Sequence, residues 1–225
     1  MEQLLTATVA SNMYWLGRYL ERVEATLYQI DKAFDQIIDV DKNAGVELYQ
    51  KFGIEIEYEN VLGFLQSAIC GDHPANLATI MNNARESAII SRTNVDASSF
   101  GEIIALEALF RQIANCTLPV DYKDIDHALS LIREIWGAHA SRGHQKTSDY
   151  FLKLGKLVEE VDFRLRFDKN LQMTQFVLED INKMLNLLSP DLDITVECPK
   201  KRGQDTQINL MDCIYKSVDK LIIHD

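Results

Sequence analysis

The residues of this chain best suited to chemistry are arginines and glutamates that lie beside large aromatic side chains. Arg18, Glu21 and Arg22 occur in one such stretch, next to Trp15 and Tyr19. A guanidinium can bind a carboxylate or phosphate through two parallel hydrogen bonds and can also stack on an aromatic ring. A neighbouring carboxylate can act as a general acid or base. These residue types would suit a site that binds a carboxylate or a phosphate.

A second stretch offers a similar face, with Arg85 and Arg92 on one side and Glu86 adjacent. If the two faces meet, their charges could line a pocket between helices. The plainer interpretation is structural pairing, such as Arg18 with Glu21 one helical turn apart, which contributes only a few tenths of a kcal/mol. With one further glutamate from a repeated segment, the candidate polar cluster comprises Arg18, Glu21, Arg22, Arg85, Glu86, Arg92 and Glu159.

The repeated segment is the strongest architectural signal. Leu16–Glu24 returns as Leu154–Asp162, and each copy places a glycine inside a periodic helix and a glutamate four residues after it. Glycine inside a helix is less stable than alanine by roughly 1 kcal/mol. Two equivalent glycines, Gly17 and Gly155, therefore predict a close approach of backbones where the first helices of the two copies cross.

Hydrophobic periodicity predicts which elements position these residues. Apolar residues recur at alternating steps of three and four, which is the seam of a helix packed against other helices. The second copy reproduces the first five seam positions at one constant offset. We therefore predict an all-α fold, a mostly antiparallel bundle of about seven to nine helices with an internal duplication and a pseudo-two-fold axis. The seam residues are Met13, Leu16, Leu20, Val23, Leu27, Ile30, Phe34 and Ile37, then Phe151, Leu154, Val158, Val161 and Leu165.

Helix boundaries are predicted from capping residues. Asp72 is expected to cap one helix, Ser99-x-x-Glu102 matches a capping box for the next, and Asp121 is expected to open a third. Residues 190–205 are rich in Pro, Gly and charge and are expected to be the most mobile segment. Within them, Ile194–Val196 is a short β-like run.

Composition excludes several classes of protein. The 225 residues carry a net charge of −11, whereas nucleic acids and anionic membranes require a basic surface. Lys200–Arg202 is the only basic run. No apolar run approaches the roughly 18 residues of a membrane span, and no secretory signal opens the sequence. Four cysteines without a C-x-x-C pair are typical of reduced thiols, so we expect a cytoplasmic protein.

Cofactor and metal signals are weak. The chain has no Glu-x-x-His motif of a di-iron bundle, no phosphate-binding loop and no nucleophile elbow. Asp124, His127 and Glu134 could share one helix face, but a metal there is a remote alternative. We expect neither a bound cofactor nor a metal.

Three segments resemble one family. Met13–Glu24 is similar to the leading motif of the bacterial alpha-E family, all-helical proteins named for their Glu and Glu-Arg motifs. Phe64–Arg92 resembles the family's "ARE…R" helix and the segment before it, and Tyr150–Asp162 its second motif. The chain departs from the pattern at Glu160, where the family usually has Arg, so the second copy is expected to be the degenerate one.

The resemblance implies one alpha-E-like domain over residues 1–225, with a first repeat of about 1–118 and a shortened second repeat of about 119–225. It also implies a gene neighbourhood with ATP-grasp and transglutaminase-like proteins that make or modify peptides. The first hypothesis is therefore a non-catalytic partner or scaffold of such a system. The alternative is an enzyme acting on peptide or amino-acyl bonds through a Glu/Arg site, and a third possibility is a homodimer built on the seams.

Overall fold

A computed structural model describes residues 5–116, 120–143, 145–167, 171–191, 195–197 and 204–224. Within these ranges the chain forms nine helices and no strand, which confirms the all-α prediction. Cys198 and the basic run Lys200–Arg202 lie outside the described residues. The helices are α1 (Ala7–Asp39), α2 (Ala44–Gln50), α3 (Val61–Cys70), α4 (Leu77–Ile90), α5 (Ala97–Asn115), α6 (Tyr122–Ala140), α7 (Thr147–Arg166), α8 (Leu171–Leu188) and α9 (Gln204–His224).

The helices group into two compact units, and α1 contributes to both. The terminal unit comprises residues 1–21 and 143–225, and the central unit comprises residues 22–142. In the terminal unit α7 packs against α8 and α9, and in the central unit α5 packs against α3, α4 and α6. The predicted single domain and its repeat boundary near residue 118 stay a prediction.

The predicted seam residues form the cores of these units. In the terminal unit the seam of α1 and the seam of α7 are almost completely shielded from solvent. Each large aliphatic side chain buried in this way contributes roughly 1.5–3 kcal/mol of transfer free energy. The shielded seam residues of this unit are Met13, Leu16 and Leu20 from α1 and Phe151, Leu154, Val158, Val161 and Leu165 from α7.

Two helix starts in the central unit differ from the prediction. Asn76, not Asp72, caps α4, and its Oδ1 accepts a hydrogen bond of 2.8 Å from the backbone of Thr79. Asp96 caps α5 by accepting from the backbone amides of Ser98 and Ser99, while the hydroxyl of Ser99 donates to the Ile135 carbonyl of α6. In both cases the cap is the polar residue that immediately precedes the first helical residue. Asp121 caps α6 as predicted.

The short β-like run does not form a strand in its described part. Ile194 lies outside the described residues, and Thr195–Glu197 has no regular secondary structure, although Val196 is buried. None of the helices in the described part of the chain combines the length and apolarity needed to cross a membrane.

Candidate functional site

The repeated glycines lie where α1 and α7 cross in the terminal unit. A Cβ atom added to Gly17 would lie 2.0 Å from the carbonyl oxygen of Leu152, and one added to Gly155 would lie 1.9 Å from that of Tyr14. Both distances are far inside van der Waals contact. Only glycine therefore allows this approach, which confirms the close contact predicted from the repeat.

The contacts at the crossing are reciprocal. Leu152 is to the second copy what Tyr14 is to the first, and each faces the glycine of the other copy. The backbone nitrogens that follow the glycines, those of Arg18 and Lys156, repeat the relation at 3.1 and 3.0 Å. The crossing thus has local pseudo-two-fold symmetry. This symmetry supports an internal duplication, which over the whole chain stays a prediction.

The charged residues of the repeat follow the same symmetry. Both Nε and Nη2 of Arg18 contact Oε2 of Glu159, at 2.8 and 2.7 Å. The counterpart pair joins Nζ of Lys156 to Oε2 of Glu21 at 3.5 Å. Each basic residue therefore pairs with the glutamate of the other copy, across the crossing. We call these two ion pairs the crossed pairs.

The two crossed pairs differ in their surroundings. The side chains of Arg18 and Glu159 are only 5% and 2% exposed, whereas those of Lys156 and Glu21 are 32% and 13% exposed. A buried pair loses hydration and needs good geometry to compensate, and removing one partner typically costs 3–5 kcal/mol. A partly exposed pair is worth about 0–1 kcal/mol. The two crossed pairs are therefore equivalent in position but not in their contribution to stability. The buried pair is the one that contains Arg18.

Aromatic rings complete the environment of Arg18. Its Cζ lies 5.3 Å from the ring centroid of Trp15 and 5.2 Å from that of Tyr215. Such distances give a favourable cation–π interaction. Trp15 also stacks on Tyr19, with ring centroids 5.6 Å apart. Two aromatic rings thus lie against the guanidinium, and Trp15 itself remains partly open to solvent.

Burial and charge set the protonation states here. Burial alone lowers the pKa of Arg18, but the negative charge of Glu159 raises it, and the net pKa is raised. Burial raises the pKa of Tyr14, although the nearby charge of Arg18 partly opposes this. Arg18 is consequently always charged and Tyr14 always neutral near pH 7. The buried hydroxyl of Tyr14 lies close to the charged Arg18.

One further acid lies beside Arg18 and was not part of the predicted polar cluster. Oδ2 of Asp162 lies 3.9 Å from Arg18 and also pairs with Arg166 at 3.1 Å. Asp162 is the last residue of the repeated segment, so the repeat itself marks its position. Glu160, the departure from the family pattern, pairs with Arg164 one turn further along α7 at 2.6 Å.

The second group of predicted residues lies in the central unit. Arg85 pairs with Glu86, and its Nε lies 3.7 Å from the buried Glu107. The Cζ atom of Arg92 lies 4.3 Å from the ring centroid of Phe100. Glu107 was missed in the sequence because it follows no repeat and no capping rule. It is held between two arginines, the second being Arg111 on its own helix at 3.6 Å.

The predicted polar cluster therefore falls into two groups, one in each unit. The terminal unit holds Arg18, Glu21 and Glu159, and the central unit holds Arg22, Arg85, Glu86 and Arg92. That all seven form one site stays a prediction. In the part of the chain that the structure describes, no three His, Cys, Asp or Glu side chains are grouped so as to hold a metal ion.

Comparison with known proteins identifies one family. The family model Alpha-E, described as a predicted alpha-helical domain with a conserved ER motif, matches residues 5–189. The chain contains a single Glu-Arg dipeptide, Glu21-Arg22, and this lies inside the matched range. No curated protein and no solved structure matches the chain.

Proposed function

Because the chain belongs to the Alpha-E family, we propose that it is a non-catalytic helical partner of an ATP-grasp peptide ligase or transglutaminase-like protein. In that role it would serve a peptide-making or peptide-modifying system as scaffold, carrier or regulator. The observation that supports this most directly is the use of the repeat's charges. Glu21 and Glu159, the glutamates four positions after the two glycines, are committed to the crossed pairs, which join α1 to α7.

A catalytic carboxyl must reach the substrate and exchange a proton with it. Glu159 is poorly placed for this, since its side chain is almost fully buried and contacts two nitrogens of an arginine that stays charged. The arrangement favours holding helices together over moving protons. The charged residues of the repeated segment thus support an architectural role.

The surface beside the crossing supports a role in binding. Trp15 and Tyr19 stack side by side on α1, and Trp15 is 41% exposed. Tryptophan and tyrosine are enriched in the centres of protein interfaces, where their rings bury a large area at low entropic cost. We call this stack the Trp15 face and propose it as the contact surface for the partner.

The test is co-purification. We expect the tagged chain, co-expressed with any ATP-grasp or transglutaminase-like protein encoded beside it, to retain one of them through affinity and size-exclusion steps. Trp15→Ala should weaken retention at least tenfold. Tyr28→Ala is the matched control, because Tyr28 is equally exposed on the same helix. Elution of the chain alone in the presence of both proteins would contradict the proposal, as would equal losses in the two variants.

One observation favours the enzyme alternative: one of the two crossed pairs is partly exposed to solvent. Glu21 and Lys156 are more exposed than their counterparts and are separated by 3.5 Å. In this alternative Glu21 acts as the acid or base. Peptide hydrolysis or transfer by the purified chain that disappears in Glu21→Gln and persists in Glu102→Gln would favour this alternative over the scaffold.

A further inference from the structure

Helix α8 of the terminal unit carries apolar side chains on two of its sides. On the inner side, residues such as Ile181 and Leu185 are buried in the core of the unit. On the outer side, Met173, Phe176 and Leu187 are 48%, 61% and 55% exposed. A single exposed apolar side chain is ordinary, but several along one line of a helix are typical of a surface that another protein covers.

The exposed apolar residues belong to a regular stripe. Its members are Met173, Phe176, Asp180, Lys183 and Leu187, which follow one another at alternating steps of three and four. At 3.6 residues per turn they lie within about 80° of the helix circumference. This spacing is that of the seam through which one helix of a coiled coil packs against another. We call these five residues the outer stripe.

An ion pair forms the centre of the outer stripe. Nζ of Lys183 lies 2.7 Å from Oδ1 of Asp180, and both side chains are exposed to solvent. An exposed pair of this kind contributes little to the stability of its own helix. Polar residues at seam positions instead fix the register and orientation of two packed helices, at some cost in stability. The pair is therefore suited to selecting how a second helix lies on the stripe.

The outer stripe is symmetric about this ion pair. Phe176 precedes Asp180 by four residues, and Leu187 follows Lys183 by four residues. A two-fold axis through the midpoint of the ion pair therefore brings Phe176 opposite Leu187 and Asp180 opposite Lys183. A second copy of α8 laid antiparallel on the first would match apolar with apolar and acid with base. An isologous dimer requires this kind of self-complementary surface.

The charges favour this arrangement over the others. In a parallel pair the two copies of Asp180 would face each other, and like charges across an interface are strongly disfavoured. In the antiparallel pair each Asp180 lies between its own Lys183 and Lys183 of the partner subunit, so four charges alternate in sign. A shifted antiparallel pair would place a charge against an apolar side chain, which leaves the charge buried without a partner.

We propose that the outer stripe is the interface of an antiparallel homodimer, in which Phe176 packs against Leu187 of the partner subunit. In the terminal unit the seams of α1 and α7 are shielded within the chain, so this dimer differs from one built on those seams. The stripe spans only about two heptads, and so small an interface is typical of a weak complex. We expect a dissociation constant of roughly 1–100 µM. The inference goes beyond the proposed function, because it uses neither Trp15 nor Tyr19.

Sedimentation velocity of the purified full chain tests the interface. At about 150 mM sodium chloride, which screens the repulsion between two chains of net charge −11, we expect monomer to convert to dimer between about 1 and 500 µM. Phe176→Glu and Leu187→Glu should each raise the dissociation constant at least about tenfold, because each buries a carboxylate in the apolar layer. Gln175→Glu is the matched control, since Gln175 is exposed beside the stripe and the change in charge is the same. It should change the dissociation constant by less than about threefold.

Reversal of charge tests the register. Asp180→Lys and Lys183→Asp should each raise the dissociation constant at least about tenfold, because each places like charges opposite one another. An equimolar mixture of the two variants should form a mixed dimer, since the lysines of one chain then face the aspartates of the other. Neither variant keeps the ion pair within its own α8, so recovery in the mixture reports contact between chains.

The inference is overturned by a wild-type chain that stays monomeric at the highest concentration, or by a dimer that persists in the folded Phe176→Glu and Leu187→Glu chains. An equal loss in Gln175→Glu, single charge variants that associate like the wild type, or a mixture that stays monomeric would each overturn it as well. Circular dichroism at the lowest concentration checks that the variants are folded. The assay uses the purified chain alone, and Trp15→Ala should leave the dimer unchanged, so its outcome is independent of co-purification.

Discussion

At the residue scale, the most informative comparison is between the two crossed pairs, which share position and differ in burial. Arg18→Ala leaves Glu159 buried without its cation, so we expect it to lower the free energy of unfolding by about 3–5 kcal/mol. Lys156→Ala should lower it by about 0–1 kcal/mol, because this pair is partly exposed and screened. Urea denaturation of the two variants measures the difference. Equal losses would mean that burial does not distinguish the pairs.

A second residue-scale prediction concerns Tyr122 in the central unit. Its hydroxyl donates to Asp31 at 2.5 Å, and this hydrogen bond, with some burial and the carboxylate charge, raises the pKa of Tyr122 to about 12. An unfolded tyrosine titrates near pH 10. The folded state therefore holds the proton more tightly, so its contribution is complete below about pH 10 and is lost as pH rises towards about 12.

Tyr122→Phe tests this linkage. Melting temperatures of the wild type and the variant should differ by a constant amount below about pH 10. The difference should then shrink between pH 10 and 12, because only the wild type loses the hydrogen bond to Asp31. Curves that stay parallel up to pH 12 would show that this bond does not shift the titration of Tyr122.

At the element scale, the crossing of α1 and α7 depends on the absence of a Cβ. Gly17→Ala places a methyl group 2.0 Å from a backbone oxygen that cannot rotate away, so the helices must separate. We expect a loss of about 3 kcal/mol or more in the free energy of unfolding. Gly101→Ala is the control, since Gly101 lies inside α5 with nothing within 4 Å of its added Cβ. Gly101→Ala should stabilise the protein by up to about 1 kcal/mol. Thermal or urea denaturation of the two variants would show whether their effects on stability have opposite signs.

The helices show which features of the structure could be predicted from the sequence. Seam residues such as Leu16 and Leu154 were predicted correctly, because helical periodicity is a local property of the chain. The partner of Arg18 was not, because spacing along the chain does not say how two helices cross. The two pairs nevertheless follow the repeat, since a two-fold axis at the glycines relates the Arg18–Glu159 pair to the Lys156–Glu21 pair. The cap of α4 at Asn76 was missed because Asp72 is an equally good capping residue by type alone.

At the scale of the whole molecule, net charge is the property that acts on every element at once. A chain with a net charge of −11 repels itself in the folded state, and this repulsion is screened by salt. The buried Arg18–Glu159 pair is shielded from ions and contributes nearly the same at any ionic strength. Raising sodium chloride from 10 to 150 mM should therefore stabilise the protein.

Differential scanning fluorimetry at constant pH measures this effect. For a chain of this size, each kcal/mol gained corresponds to a rise of roughly 2–4 °C in Tm. Arg18→Ala should have a lower Tm than the wild type. Its Tm should rise with salt by the same amount, because the ion pair that it loses is buried and is not screened by salt. If surface ion pairs such as Lys183–Asp180 outweighed the overall repulsion, Tm would fall with salt instead. A fall would show that charge pattern, rather than net charge, controls the stability of this protein.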